Sequence, residues 1–168
     1  MSEPPITFRR ATDDDWDAIW PIFRSVVEAG DTYPYPPDIG EVDAQDLWLP
    51  EPGRRQVTFV AELDGAIVAT AYVRPNMIGL GNHVANAGWM VDHTMRGRHI
   101  GRRFAEYVLS EARELGFVGM QFNAVVATNA PSIALWESLG FDRVGTVPGA
   151  FRHATEGPTA IHIMYRDL

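Results

Sequence analysis

Apolar residues in this chain recur with two periods, every second position or every third and fourth, and the changes of period divide it into elements. Residues 6–10 alternate like a short strand. Thr12 then precedes Asp13, Asp14 and Asp15, an N-cap followed by acids that suit the positive end of a helix. Trp16, Ile19, Trp20, Phe23 and Val27 follow on one helical face, with Pro21 as a kink point and Gly30 as the stop. Residues 31–40 place Tyr33 and Tyr35 among Pro34, Pro36 and Pro37, which predicts a stiff loop carrying aromatic surface that can wall a pocket. A short helix over 43–49 leads to the break at Pro50-Glu51-Pro52-Gly53.

Residues 56–62 and 67–74 read as strands around Asp64-Gly65, a strong hairpin signal. A glycine-containing loop over 76–83 precedes a buried strand at 84–91. Ile100, Phe104, Val108, Ala112 and Leu115 define one face of a helix over 98–115 that Gly116 ends. A strand over 120–127, a helix over 132–139 and strands over 142–147 and 161–165 complete the order. Such an order predicts an α/β fold, one mixed sheet with helices on both faces. At 168 residues the chain fits a single domain, 1–168.

Charge narrows the partners. The net charge is −8, and residues 11–64 hold thirteen acids against three arginines. This disfavours nucleic acid, whose binding is driven by cationic patches. With no cysteine there is neither disulfide nor thiolate nucleophile, so a covalent thioester on the enzyme is excluded. No apolar run approaches the roughly 20 residues of a membrane span, and the expectation is a cytoplasmic protein without membrane contact. His83, His93, His99, His153 and His162 are scattered without ligand spacing, and no metal is expected.

Against that acidity stands Arg96-Gly97-Arg98-His99-Ile100-Gly101-Arg102-Arg103, which joins the strand ending at Val91 to a helix N-terminus. Unpaired N–H groups and the helix dipole favour an anion there, and glycine permits close approach. A P-loop needs Gly-Lys-Ser or Gly-Lys-Thr, and the chain has no lysine; a dinucleotide fingerprint of three spaced glycines is also absent. About thirty residues on, Asn129-Ala130-Pro131-Ser132 opens a helix that ends in Leu139-Gly140-Phe141.

Together the two segments resemble motifs A and B of the GCN5-related N-acetyltransferases, with Arg96 and Gly101 matching motif A and His99 standing where its first glycine is expected. The resemblance implies a mostly antiparallel sheet splayed to admit acetyl-CoA. The loop Arg96, Gly97, Arg98, His99, Ile100, Gly101 and Arg102 would bind pyrophosphate, Val91 would pair with the pantetheine amides, and Asn129 would reach the cofactor. A backbone N–H of Met90 or Val91 would donate to the thioester oxygen.

In many family members a motif-B tyrosine protonates the leaving thiolate; the matching residue here is Trp136, a poor proton donor. The role falls to another hydroxyl such as Ser132, to solvent, or to no residue, leaving Asn129 and Ser132 as the catalytic candidates. Asn86 and Asn123 sit in otherwise apolar strands. With Asn129 they look similar to the asparagines of the proline-analogue (azetidine-2-carboxylate) acetyltransferases, relatives of the phosphinothricin type, which implies that Asn86 and Asn123 bind substrate; the pocket-wall Tyr33 is expected to line the same substrate site. The expected reaction is direct transfer of acetyl from acetyl-CoA to a small, amino-acid-like amine by a monomer or homodimer. A silent CoA-binding sensor and a protein N-acetyltransferase are the alternatives.

Overall fold

The structure, a computed structural model, describes residues 5–51, 55–95 and 99–168. Seven strands form one sheet: β1 (Ile6–Arg10), β2 (Val57–Leu63), β3 (Ala66–Pro75), β4 (Val84–Val91), β5 (Gly119–Val126), β6 (Asp142–His153) and β7 (Gly157–Asp167). Four helices accompany them: α1 (Trp16–Glu28), α2 (Glu41–Trp48), α3 (Ile100–Glu114) and α4 (Ala130–Ser138). The sheet order is β1-β2-β3-β4-β5-β7-β6, with every neighbouring pair antiparallel except β4 and β5. No described helix is long and apolar enough to cross a membrane.

Alternation along the strands sends side chains to two faces. Phe59, Ala69, Ala71, Val73, Ala85 and Ala87 pack with Ile100, Phe104 and Val108 of α3 and Trp136 of α4. On the other face Val60, Tyr72 and Met90 pack under Trp16, Ile19, Phe23 and Val27 of α1 and Trp48 of α2. Fully burying a side chain of this size stabilises the fold by about 1.5–3 kcal/mol. The buried Trp48 Nε1–H donates to Thr70 Oγ1 at 2.9 Å, fixing α2 to the middle of β3.

The hairpin at Asp64-Gly65 forms as expected, both residues in the left-handed region with φ of 53° and 77°. The last two strands run longer than expected. Pro148 and Gly149 read as a break, yet β6 carries through them as a bulge: Val147 pairs with Ile161 and Phe151 with Thr159, so four steps on β6 match two on β7. As the outermost strand, β6 tolerates a proline that donates no ladder bond.

The feature that positions the site lies at the centre of the sheet. β4 and β5 pair only at Val84 with Gly119 and Ala85 with Met120, then continue to Val91 and Val126 with no further rung. Two parallel strands that part after two pairs leave a V-shaped cleft, open at their C-terminal ends.

Candidate functional site

The β3–β4 register decides which backbone groups face this cleft. Asn76 N–H donates to Val84 C=O at 2.8 Å and Asp92 N–H to Val68 C=O at 2.9 Å, and the pairing between these ends has no shift. Even-numbered residues of β4 therefore bond to β3, and Ala87, Trp89 and Val91 turn their N–H and C=O groups toward the opening. Met90 pairs with Thr70 and is fully buried. Of the two residues expected to offer a thioester donor, Val91 has the right orientation and Met90 has its N–H turned to β3.

On the α1 and α2 face, Asn86 spans the first missing rung. Its Nδ2 donates to Gln121 C=O at 2.9 Å, and its Oδ1 accepts from Tyr72 Oη at 3.2 Å. Asn123 Nδ2 donates to Asn76 Oδ1 at 2.7 Å, and Gln121 Nε2 donates to Asn123 Oδ1 at 2.9 Å. The two asparagines singled out in the sequence are thus linked through Gln121 in one polar strap at the base of the cleft, with their amides engaged by protein groups. Sequence reasoning missed Arg74, which stands beside them. Its Cα is paired with that of Asn86, its guanidinium lies 4.8 Å from the Tyr72 ring centroid, and it has no carboxylate at ion-pair distance among the described residues. Period-two counting from Thr70 through Tyr72 was the available signal.

Tyr33 enters the same face from the loop between α1 and α2. Its hydroxyl accepts from Trp89 N–H and donates to Trp89 C=O, both at 2.9 Å. Gly88 permits this approach: a Cβ there would stand 2.7 Å from Tyr72 Cε1, 3.1 Å from Tyr33 Oη and 3.2 Å from Trp48. The Tyr33 ring stacks on Tyr35 at 5.6 Å and meets Trp48 edge-on at 5.9 Å. Burial pushes the Tyr33 phenol well above its ordinary pKa, and desolvation raises Tyr35 and Tyr72 in the same direction.

On the opposite face the Trp89 ring lies 4.7 Å from Trp136 and 5.5 Å from Phe122, in an aromatic cluster completed by Phe141. Trp136 is a buried packing residue. The Trp89 indole N–H is buried without a hydrogen-bond partner, which in a native fold calls for an explanation.

Arg96, Gly97 and Arg98 lie outside the described residues. His99 caps α3 with φ 55° and ψ 15°, the left-handed conformation that glycine adopts most readily. Ile100 is buried against the sheet, whereas a Cβ on Gly101 would meet nothing within 4 Å among the described residues. Arg102 is committed within the protein, donating to Ser138 Oγ at 2.8 Å and pairing with Glu106 Oε1 at 3.1 Å. It links α3 to α4 at a position the resemblance assigns to pyrophosphate. Asn129 caps α4, its Oδ1 accepting from Ser132 N–H at 3.3 Å. No group of three potential metal ligands occurs among the described residues. A cavity of about 330 Å³ lies between α3 and α4 around Leu109, Arg113 and Leu139, separate from the cleft.

Comparison with known proteins matches this arrangement. The N-acetyltransferase aca1 of Schizosaccharomyces pombe is 31% identical over 139 residues, which cover 75% of this chain and 66% of that protein, a little under two thirds of its length. A GCN5-related N-acetyltransferase from Kribbella flavida superposes with a TM-score of 0.92 at 44% identity, covering 97% of this chain and 98% of that one. A GNAT superfamily phosphinothricin acetyltransferase from Sinorhizobium meliloti, solved in complex with AcCoA, shares the fold with a TM-score of 0.86 at 22% identity, over 97% and 88% of the two chains. Residues 16–141 match the profile described as the acetyltransferase (GNAT) family, and the chain belongs to that family.

Proposed function

We propose that residues 1–168 act as one domain that transfers acetyl from acetyl-CoA to the nitrogen of a small amine bearing a carboxylate, by direct attack. Three features support acetyl-CoA as the acyl donor. The first turn of α3 offers backbone N–H groups, and no described residue crowds Gly101 there. Odd-numbered residues of β4 point backbone groups into the cleft, where Val91 would meet pantetheine. The buried Trp89 indole N–H lacks a partner. Arg96, Gly97, Arg98, His99, Ile100 and Gly101 would surround the pyrophosphate, with Asn129 at the cofactor side of α4.

The single observation that carries the acceptor is Arg74. A cation without a carboxylate partner, next to Asn76, Asn86 and Asn123, in a chain of net charge −8, suits an anionic group on the substrate. Asn86 and Asn123 would orient that acceptor mainly by holding the strap, and Tyr33 would close the wall above it. Transfer needs a neutral amine placed against the thioester, so positioning is the protein's main contribution.

The test is thiol release from acetyl-CoA with paired amines, amino acids and their amides, on wild type and Arg74→Ala. Losing one charge-assisted contact of about 1.5–3 kcal/mol should raise KM roughly 10- to 100-fold for the carboxylates and little for the amides. Equal KM changes on both would remove the carboxylate. Acetyl-CoA binding without turnover of any amine would favour a silent CoA-binding module.

A further inference from the structure

We propose that Tyr33 is the proton donor to the departing thiolate, delivered from the α1–α2 loop to the strand position that Trp136 approaches from the other face. The proposal rests on the acetyltransferase reading above. Trp89 presents its backbone to the cleft, and the Tyr33 hydroxyl sits 2.9 Å from both its N–H and its C=O. The ring of the same Trp89 lies 4.7 Å from Trp136, the residue at the place of the motif-B tyrosine. A phenol from one helical layer and the helix position that lacks a phenol thus converge on one residue of β4. Gly88 is the opening through which Tyr33 reaches it. Ser132 is a weaker candidate, a residue of the first turn of α4 beside its cap.

The proton balance closes without another reagent. The amine nitrogen forms a bond to the acyl carbon, and the carbon–sulfur bond breaks with its electron pair leaving on sulfur. Tyr33 Oη–H turns from Trp89 C=O and gives its proton to sulfur. Trp89 N–H, already donating to Oη, stabilises the phenolate that results. The acylated nitrogen, now acidic, returns a proton to Oη, and an amide and a free thiol leave. The groups facing Tyr33 are the phenols of Tyr35 and Tyr72, with the Arg74 guanidinium beyond them. Desolvation keeps the Tyr33 phenol protonated through the neutral range, the state a donor requires.

The full chain should be prepared as Tyr33→Phe and with 3,5-difluorotyrosine, a more acidic phenol, at position 33. In Tyr33→Phe, kcat should fall about 100-fold or more, while titration calorimetry gives an acetyl-CoA Kd within about twofold of wild type and circular dichroism an unchanged fold. The fluorinated chain should turn over at neutral pH and lose kcat at a lower alkaline pH than wild type, because its donor deprotonates earlier. A wild-type kcat in Tyr33→Phe overturns the proposal. So does a loss of kcat matched by lost acetyl-CoA affinity with no movement of the alkaline limb, since the hydroxyl is then only a prop for β4. If wild type itself releases no thiol with any amine, the acetyltransferase reading fails first; the two failures differ because only the second leaves wild-type turnover in place.

Discussion

At the residue scale, His99 shows what the sequence could and could not carry. Its place in motif A marked a position where glycine is usual, and the backbone there is left-handed, with φ 55°. Histidine is among the side chains that enter this region more readily, while a β-branched residue is strongly disfavoured. His99→Val should therefore unfold at lower urea than His99→Gly, by about 1–2 kcal/mol, with both compared by equilibrium denaturation. Equal midpoints would mean the left-handed turn is not kept in solution. Arg74 and Tyr33 were legible only in part. A lone arginine at the end of an apolar strand carries no motif, and nothing in the spacing of Tyr33 shows that its hydroxyl crosses to Trp89, since that contact joins residues 56 positions apart.

At the scale of elements, the start of α1 is tied to the sheet by Arg9. Its guanidinium contacts Asp15 with two bonds of 2.7 and 2.8 Å and Glu62 at 2.5 Å, joining β1, the turn before α1 and β2. The hydrogen bonds from Arg9 hold the Asp15 carboxyl below the usual carboxylate range, even though desolvation opposes the shift. A depressed folded pKa stabilises the fold above the unfolded value, near 3.9, and that contribution disappears as pH falls through the lower folded value. Asp15→Asn should therefore lower the urea midpoint at pH 7 and converge on wild type as pH drops below the carboxylate range. A gap that persists in acid would show that the ion pair is not the cause. Period and punctuation carry most elements: the mostly apolar run over 84–91 coincides with β4, and the apolar stripe from Trp16 to Val27 marks α1. β6 was cut short because Pro148 and Gly149 signal a turn locally, and only an edge position in the sheet makes them acceptable in a strand.

Across the whole molecule, the two cores serve different ends. The α3 and α4 face holds the strand frame of the cleft, while the α1 and α2 face braces the loop that carries Tyr33. Thr70 links that brace to the sheet, accepting from Trp48 Nε1–H and donating to Phe59 C=O at 3.2 Å. Thr70→Val preserves shape but strands a buried indole N–H, a cost of about 1–3 kcal/mol. The expected outcome is a lower thermal midpoint together with a larger fall in kcat than in acetyl-CoA affinity, because Tyr33 sits on the far side of the same Trp48. A parallel loss of both would place the effect on the frame. Fold class follows from element order, whereas the cleft comes only from the family resemblance, because a parallel pair that stops after two rungs leaves no trace in hydrophobic period.

The tight space at Gly88 has an evolutionary consequence. A single added methyl group would overlap Tyr72 and press on the Tyr33 hydroxyl, so a lineage that acquires alanine here must move both tyrosines and loosen the contact of the loop phenol with the strand. If Tyr33 is the proton donor proposed above, that lineage needs an acid from elsewhere, and position 136 approaches the same strand residue from the opposite layer. The proposal therefore pairs glycine in the strand with a tyrosine in the loop, and a bulkier strand residue with a tyrosine on α4. Sequences descending from a common ancestor should change these three positions together, and intermediates carrying neither phenol should be rare.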